Sequence, residues 1–221
     1  MINLKEHFLK SDLDSLSKNI SFSRSVDSLA EEDNLSFTKS VRVAVVASST
    51  INGLIESIKA DSAKCDLLIK PYLSEYNQFA QEIFNKDSAL YNFNPEIVLT
   101  LEPTSPFRSL KTINSAIDAL RDGKSDSVLA VKETTECIGK IINNSFEHIL
   151  KNQPRRRQDR DPLYVESSTI YGTLSKILIK NRSVLGKNPF PIIVDKYESI
   201  DINEKLDLIV AESYIKLLNY T

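Results

Sequence analysis

Glycine is scarce in this chain. The five among 221 residues stand at positions 53, 123, 139, 172 and 186, too scattered to build a glycine-rich loop. That excludes the usual phosphate-cradling turn, in which clustered glycines let backbone amides close around a polyphosphate. Cysteine and histidine are scarcer still, with Cys65, Cys137, His7 and His148 as the full set. None of them clusters at metal-ligand spacing, so the cysteines read as free thiols in a reducing compartment and the histidines as surface or boundary residues. No apolar run approaches the roughly 20 residues of a membrane span. The opening Met1-Ile2-Asn3-Leu4-Lys5-Glu6-His7 is too charged for a signal peptide. A formal net charge of −2 carries neither the basic excess of a nucleic-acid binder nor an acidic solvating tail. The expectation is a soluble cytoplasmic protein with neither membrane nor nucleic acid as partner.

What is present is enough for a substantial core: 41% of the residues are hydrophobic and 26% charged. The organising stretch is Ile97-Val98-Leu99-Thr100-Leu101, followed by Glu102-Pro103-Thr104-Ser105-Pro106-Phe107-Arg108. A continuous apolar or β-branched run bounded by Pro95 and Pro103 predicts a strand buried on both faces of a parallel sheet. The prolines end it, since each lacks an amide hydrogen and restricts its predecessor. Ser109 is placed to cap a helix whose Ile113, Ala116, Ile117 and Leu120 share one face. Ligands of open α/β sheets bind beyond the carboxyl ends of the strands, where the Pro-Thr-Ser-Pro loop lies.

Around this strand the chain reads as an α/β protein. Residues 1–40 form a polar N-terminal helical arm that packs on a neighbouring surface, with Leu4, Phe8, Leu13, Leu16 and Ile20 hinting at amphipathic turns. Residues 41–47 predict a buried strand, Ser48 and Ser49 cap the following helix, residues 66–70 give a second strand, and residues 76–84 a second helix. The order β-α-β-α-β requires parallel strands with right-handed crossovers. Beyond the central strand come a strand at 126–131, a hairpin over 140–150 turning at Asn143-Asn144, and an arginine-dense stretch over 151–161. A strand at 169–174, a helix at 175–181, a strand at 191–194 and a last helix complete it, with Leu206, Ile209, Val210, Tyr214 and Leu217 expected on the last helix's packing face. There is no internal repeat. The fold class is therefore a three-layer, Rossmann-like, mostly parallel sheet with a β-hairpin excursion in its C-terminal half.

Three stretches also carry a family likeness. The loop at 101–108 resembles the LQPTSPLR loop of the acylneuraminate (CMP-sialic acid) cytidylyltransferases, which join CTP to nonulosonic acids. Arg155-Arg156-Arg157-Gln158 resembles their RRQ segment, and Ser199-Ile200-Asp201-Ile202-Asn203 their SIDID signature. The likeness runs over residues 97–221. Residues 41–50, 71–79 and 87–98 resemble instead the N-terminal region of FkbH-like proteins, although the Asp-x-Asp-x-Thr loop of that family's phosphatase half is absent. The expected organisation is an arm at 1–40, a βαβαβ half at 41–100 and a cytidylyltransferase-like half at 97–221, with one continuous sheet physically open to both halves.

The resemblance implies a site. It makes Glu102, Thr104, Ser105 and Arg108 of the loop, with Arg157, Gln158 and Ser167, the substrate-binding residues. Arg157 is implied to grip the sugar carboxylate from a twofold mate, since a guanidinium fork matches a carboxylate with two parallel hydrogen bonds. Ser167 and Ser168 replace the family's Asn-Gly pair. Asp201 and Asn203 stand where two alternating aspartates serve Mg²⁺, and an amide in the second place brings no charge and weakens the site. Asp207 has a separate reading, stabilising the N-terminal region of the last helix. The implied partners are a nonulosonic sugar, CTP and a second copy of the chain. The family's Gly-, Arg- and Lys-rich loop for CTP phosphates is missing, so the expected activity is impaired cytidylyl transfer. Two alternatives stand beside it: a non-catalytic sugar-binding or assembly protein, and an α/β hydrolase using Ser48, for which no activating His–Asp pair is placed by the sequence.

Overall fold

A computed structural model describes residues 16–31, 37, 39–47, 53–75, 78–123 and 125–218. The readings at Ser48, Ser49 and His7 fall outside the described residues. Helix α1 (Leu16–Glu31) precedes strand β1 (Lys39–Ala47), helix α2 (Leu54–Lys64) and strand β2 (Leu67–Leu73). Two short helices, α3 (Phe79–Phe84) and α4 (Ala89–Phe93), lead to β3 (Ile97–Leu101) and α5 (Leu110–Arg121). Then come β4 (Ser127–Thr134), β5 (Gly139–Ile142), β6 (Ser145–His148), a 3₁₀ turn (Arg157–Asp159) and β7 (Leu163–Leu174). Helix α6 (Ser175–Asn181), β8 (Pro189–Val194) and α7 (Lys205–Leu218) end the described chain.

Six strands make one sheet in the order β2-β1-β3-β7-β4-β8, and β5 and β6 pair apart as a two-stranded ribbon. β1 is parallel to both β2 and β3, and β4 to β8, while β7 runs antiparallel between β3 and β4. The sheet is therefore mostly parallel, and the strand at 97–101 lies inside it with both predicted companions, 41–47 and 127–131, the second running on to Thr134. β4 is not its direct neighbour, because β7 is inserted between them.

Helices cover both faces. On one, Ile58 of α2 and Ile113, Ala116, Ile117 and Leu120 of α5 pack on Val43, Val45, Leu99, Val128 and Ile170. On the other, Ile83, Leu90 and Leu178 of α3, α4 and α6 meet Ala44, Val46 and Val98. Alternate residues of β1 thus serve opposite layers, as the period of a strand requires. Helix α1 packs on α2 through Phe22, Val26 and Ala60. Ser109 caps α5 as expected, its Oγ accepting from the Thr112 amide at 3.1 Å.

Several expectations need correction. The helix expected over 76–84 is described only as Phe79–Phe84, and a further turn, α4, is capped by Ser88, whose Oγ accepts from the Tyr91 amide. β2 runs on through Pro71, which an edge strand tolerates because its unpaired side needs no donor. β7 begins at Leu163, six residues earlier than the strand predicted at 169–174. Residues 200–203 are irregular rather than extended, so strand alternation does not set Asp201 and Asn203 on one side. The last correction is α7. Of the packing face predicted there, Leu206, Ile209, Val210 and Leu217 are exposed, and Ala211 is the buried residue of the helix. The helix is instead held by Tyr214, which stacks on Tyr197 with centroids 4.2 Å apart and meets Phe107 edge-on at 4.9 Å.

A close approach ties β8 to β4. The Asp126 carboxylate accepts from the amides of Lys187 (2.9 Å) and Asn188 (3.1 Å), and from the Ser127 hydroxyl. Gly186 lies so close to this carboxylate that a Cβ there would collide with it. Burial alone would raise the Asp126 carboxyl, but these donors outweigh it and hold the group below the ordinary carboxylate range.

Candidate functional site

Three segments meet beyond the carboxyl end of β3: the loop 102–109, the middle of β7, and the connection 195–204 between β8 and α7. The pairing of β7 explains how its middle reaches the others. Leu129 faces Tyr171, but the next residue, Ala130, faces Ser167, so Ser168, Thr169 and Ile170 are extra residues that bulge from the ladder. Bulges re-aim side chains, and they gather beside active sites. Neither Ser167 nor Ser168 takes a positive φ, so serine sits here without the backbone strain that a glycine-only geometry would impose.

The bulge is bonded to both loops. Ser168 Oγ lies 2.8 Å from the buried Ser105 Oγ, and Ser167 Oγ lies 2.8 Å from Thr169 Oγ1. Thr169 Oγ1 donates to the Glu198 carbonyl at 2.8 Å, and the Ile202 amide donates to the Thr104 carbonyl at 2.8 Å. Glu198 then anchors the start of α5. Its two oxygens accept from the Ser109 amide (2.8 Å) and the Thr112 hydroxyl (2.7 Å). One carboxylate thus fixes the β8–α7 connection against the helix that follows the candidate loop.

Arg108 is a strut. Its Nε donates to the Thr169 carbonyl at 3.0 Å, and its Nη2 to the Glu102 carbonyl. Burial pushes the guanidinium down to about 10, with Glu102 opposing the shift. The sequence set Arg108 among the substrate contacts, and its described hydrogen bonds hold the loop to β7.

Asp201 is the most distinctive carboxylate. Burial opposes its ionisation, but the neighbouring polar side chains of Thr104, Asn203 and Ser168 and the charge of Lys132 prevail, so the carboxyl is held below its ordinary value. Its Oδ2 accepts from the Asn203 amide nitrogen at 2.8 Å, while its Oδ1 is buried without a hydrogen-bond partner among the described residues. A buried, unsatisfied carboxylate oxygen is costly unless a ligand completes it. Nearby, the Tyr171 hydroxyl donates to Glu166 at 2.8 Å. Burial, Glu166, and the fields of Glu102 and Asp201 push the phenol up. The site is therefore rich in carboxylates, with Lys132 the cation that bears on Asp201.

Among the described residues, no group of three or more His, Cys, Asp or Glu side chains is placed to hold a metal ion. A Mg²⁺ ion needs only one or two protein carboxylates when substrate phosphates and waters complete its octahedron. The free Asp201 Oδ1 fits that demand. Asn203, expected as the second ligand, spends its amide nitrogen on orienting Asp201. Asp207 acts as the sequence predicted, its Oδ2 accepting from the amides of Asn203 and Glu204, both at 3.0 Å, at the start of α7.

The other candidates lie elsewhere. Arg157 donates to Thr135 Oγ1 at 2.8 Å and pairs with Glu136 at 3.3 Å, at the far end of β4, and Gln158 is exposed beside it. The residues that sequence reasoning left out are Tyr171, Glu166, Glu198 and Lys132, and it gave Ser168, noted beside Ser167, no bonding partner. Their signal was the bulge, which appears only when strands are paired. Cys65 and Cys137 are free, as predicted, and both are exposed, and no helix among the described residues is long and apolar enough to cross a membrane.

No family model matches the chain. Over 133 residues it is 31% identical to the CMP-N,N'-diacetyllegionaminic acid synthase of Legionella pneumophila, with 54% of each chain covered. The chain therefore spans about half the length of this curated relative. Among solved structures, it is similar to the 2-C-methyl-D-erythritol 4-phosphate cytidylyltransferase of Francisella tularensis, at 13% identity and a TM-score of 0.45, covering 78% of this chain and 98% of that one. A CMP:2-keto-3-deoxy-manno-octonic acid synthetase complexed with CTP gives 11% identity and a TM-score of 0.35, covering 80% of this chain and 100% of the other. The likeness to a CMP-N,N'-diacetyllegionaminic acid synthase supports the cytidylyltransferase resemblance read in the C-terminal half, and the α/β fold is the class expected.

Proposed function

We propose that this chain takes part in the activation of a nonulosonic acid, with its sugar site where the loop 102–109, the β7 bulge and the connection 198–203 converge. One observation carries the reading. Three motif segments, separated by up to about a hundred residues, meet through the Ser105–Ser168, Thr169–Glu198 and Thr104–Ile202 hydrogen bonds. The 31% identity to the Legionella legionaminic acid synthase supports it from sequence.

In the reaction, a sugar hydroxyl attacks the α-phosphorus of CTP, the bond to the β-phosphate oxygen breaks, and pyrophosphate and a proton leave. Ser168 and Thr104 offer hydroxyls to the sugar, the buried Ser105 holds Ser168 in place, and Glu102 and Tyr171 border the same space. Asp201 is the residue to hold Mg²⁺, which when bound neutralises phosphate charge in the transition state. Arg157 lies on the excursion that carries β5 and β6, where its exposed fork serves a sugar carboxylate in the facing subunit of a homodimer. The scattered glycines leave the triphosphate without its customary cradle, and losing one preorganised donor typically costs about 2.7–4 kcal/mol of transition-state stabilisation. Turnover by this chain alone is accordingly slow.

A second reading, a sugar-binding protein without transfer activity, is favoured by one feature. Glu102, Glu166 and Asp201 all lie near Tyr171 or beside it, and repel a triphosphate unless Mg²⁺ arrives with it. Calorimetric titration with CTP·Mg²⁺ and with a nonulosonic acid, each alone, separates the two. CTP binding lost in Asp201→Ala supports the transferase, and sugar binding alone supports the second reading. Binding of neither would overturn both.

A further inference from the structure

A second cleft lies at the opposite edge of the sheet, on the face covered by α3, α4 and α6. Pairing of Ile97 with Leu174, and of Thr100 with Tyr171, puts Ser175 and α6 at the amino end of β3, while the candidate site lies beyond its carboxyl end. Here α3 and α6 leave an open groove of about 400 Å³, within the range of small-molecule sites. Its walls are apolar, with Ile83, Leu178 and Ile179 among them, and Ile179 is 54% exposed. A narrow slot of about 40 Å³, floored by Leu90 and Val98, adjoins it and shares Ile83, Leu178 and Ile179. Ser175 lines that slot, and its buried Oγ has no hydrogen-bond partner among the described residues.

The rim is cationic. Lys86 and Arg182 both line the groove, and among the described residues neither forms an ion pair. Glu82, the carboxylate of α3, is turned to the Leu90 amide at 2.9 Å. Arg182 closes α6 in a left-handed conformation at φ 50°, with its amide donating to the Leu178 carbonyl. Glycine or asparagine fills such a position with less strain, yet an arginine stands there, at the groove's lining. Two unneutralised cations over an apolar trough ask for one kind of guest: a small anion with a hydrocarbon body.

We infer that the groove between α3 and α6 binds an amphiphilic organic anion, a medium-chain carboxylate or its phosphate counterpart, with the head on Lys86 and Arg182 and the body along Ile83, Leu178 and Ile179. The complementary charges and the groove's size favour this guest over a helix of a partner protein. The site is independent of nonulosonate binding and stands whether or not that reading does.

The test is titration of the full chain with octanoate, followed by amide chemical shifts, below the concentration at which octanoate aggregates. Shifts are expected in α3, α6 and residues 182–184, with residues 102–109 unmoved. Each added methylene from hexanoate to decanoate should tighten binding about fourfold, the equivalent of about 0.8 kcal/mol per CH₂. Octyl phosphate should bind like octanoate, and octanol should bind about fivefold more weakly, as the loss of two exposed ion pairs requires. The double variant Lys86→Gln/Arg182→Gln should weaken octanoate roughly fivefold, as two exposed ion pairs would, and Ile179→Glu should abolish binding. All three positions are exposed, and each variant's unfolding midpoint checks that it folds. Absence of octanoate binding, affinity indifferent to chain length or to the double variant, or capture of an acidic amphipathic peptide that octanoate does not displace would each overturn the inference.

Discussion

Helices α5 and α7 each follow a sheet strand and are of similar length, yet they relate to the sheet in opposite ways. Over twelve residues α5 buries Thr112, Ile113, Ala116, Ile117, Ala119 and Leu120. Over fourteen residues α7 buries Ala211, while Leu206 and Leu217 stand 62% and 61% exposed. Apolar content does not separate them, because α7 is the more apolar helix. Pattern does. In α5, apolar residues return at three and four positions and polar ones fill the other side, so one face can be the inner one. In α7, Leu206, Leu208, Ile209, Val210, Ile215, Leu217 and Leu218 surround the helix, and no single stripe is defined. Its seat is chosen by tertiary contacts, the Tyr214 rings against Tyr197 and Phe107. A face can be read from periodicity only where polar residues mark what it is not.

The contrast gives its largest expected effect at Ile113. This side chain is fully buried where α5 packs on the sheet over β7, β4 and β8, so Ile113→Ala should lower unfolding stability by about 2–5 kcal/mol through lost transfer energy and a residual cavity. Chemical denaturation measures it. A loss below about 1 kcal/mol would mean that α5 does not form the inner layer in solution.

Next in size is the carboxylate that fastens the start of α5. Glu198→Ala removes the acceptor of the Ser109 amide and the Thr112 hydroxyl, and hydrogen bonds to charged groups contribute about 1.5–3 kcal/mol each when buried. With Glu198 partly exposed, a total loss of about 2 kcal/mol is expected. The same variant should weaken sugar binding, because it unties from α5 the segment whose backbone carbonyl at position 198 accepts from Thr169 in the bulge, whereas Ile113→Ala should leave sugar affinity nearly unchanged. Equal effects on sugar affinity would erase the distinction between packing and positioning.

These two sites also mark how far the sequence reaches. The strand at 97–101, the Ser109 cap and the inner face of α5 are local in origin, fixed by proline, a hydroxyl and a period, and all were legible. So was the Asp207 anchor, three or four residues from the amides it serves. The bulge in β7 was not. It depends on which strand lies beside which, and β7 pairs with β4 across an excursion of nearly thirty residues. The positions of Glu198 and Tyr171 depend on it in turn, and so do the bonds by which Arg108, read from sequence as a substrate contact, ties the loop to the Thr169 and Glu102 carbonyls. For Asp201 and Asn203, proximity was expected from alternation, and a side-chain hydrogen bond in an irregular segment supplied it.

A smaller effect is expected from acid. The folded Asp126 and Asp201 carboxyls both lie below their ordinary value, which is about 3.9. The unfolded chain therefore takes up protons first as the pH falls. The stability they contribute is full above that ordinary value and is lost as the pH drops from there through the lower folded values. Asp126→Asn should flatten this acid limb while lowering stability at neutral pH, because an amide accepts less strongly from the Lys187 and Asn188 amides. Thermal unfolding between pH 3 and 7 checks both. An unchanged acid limb in Asp126→Asn and Asp201→Asn alike would mean that neither carboxyl is held low.

The smallest effect is predicted where the eye is drawn first, at the apolar surface of α7. Leu206→Gln replaces a leucine that already faces water with a residue of nearly equal helix propensity. No buried area is lost and no cavity forms. The change in stability should therefore stay within about 0.5 kcal/mol, the usual range for surface substitutions. Leu217→Gln should behave alike, while Ala211→Leu, on the side that meets the protein, should cost about 1–3 kcal/mol by overpacking. These three variants, measured together, fix the orientation of the helix about its own axis. If Leu206→Gln and Leu217→Gln were as costly as Ile113→Ala, the face read from the sequence would be the inner one after all. The two helices would then differ in pattern but not in burial, and the aromatic contacts of Tyr214 would have to be secondary.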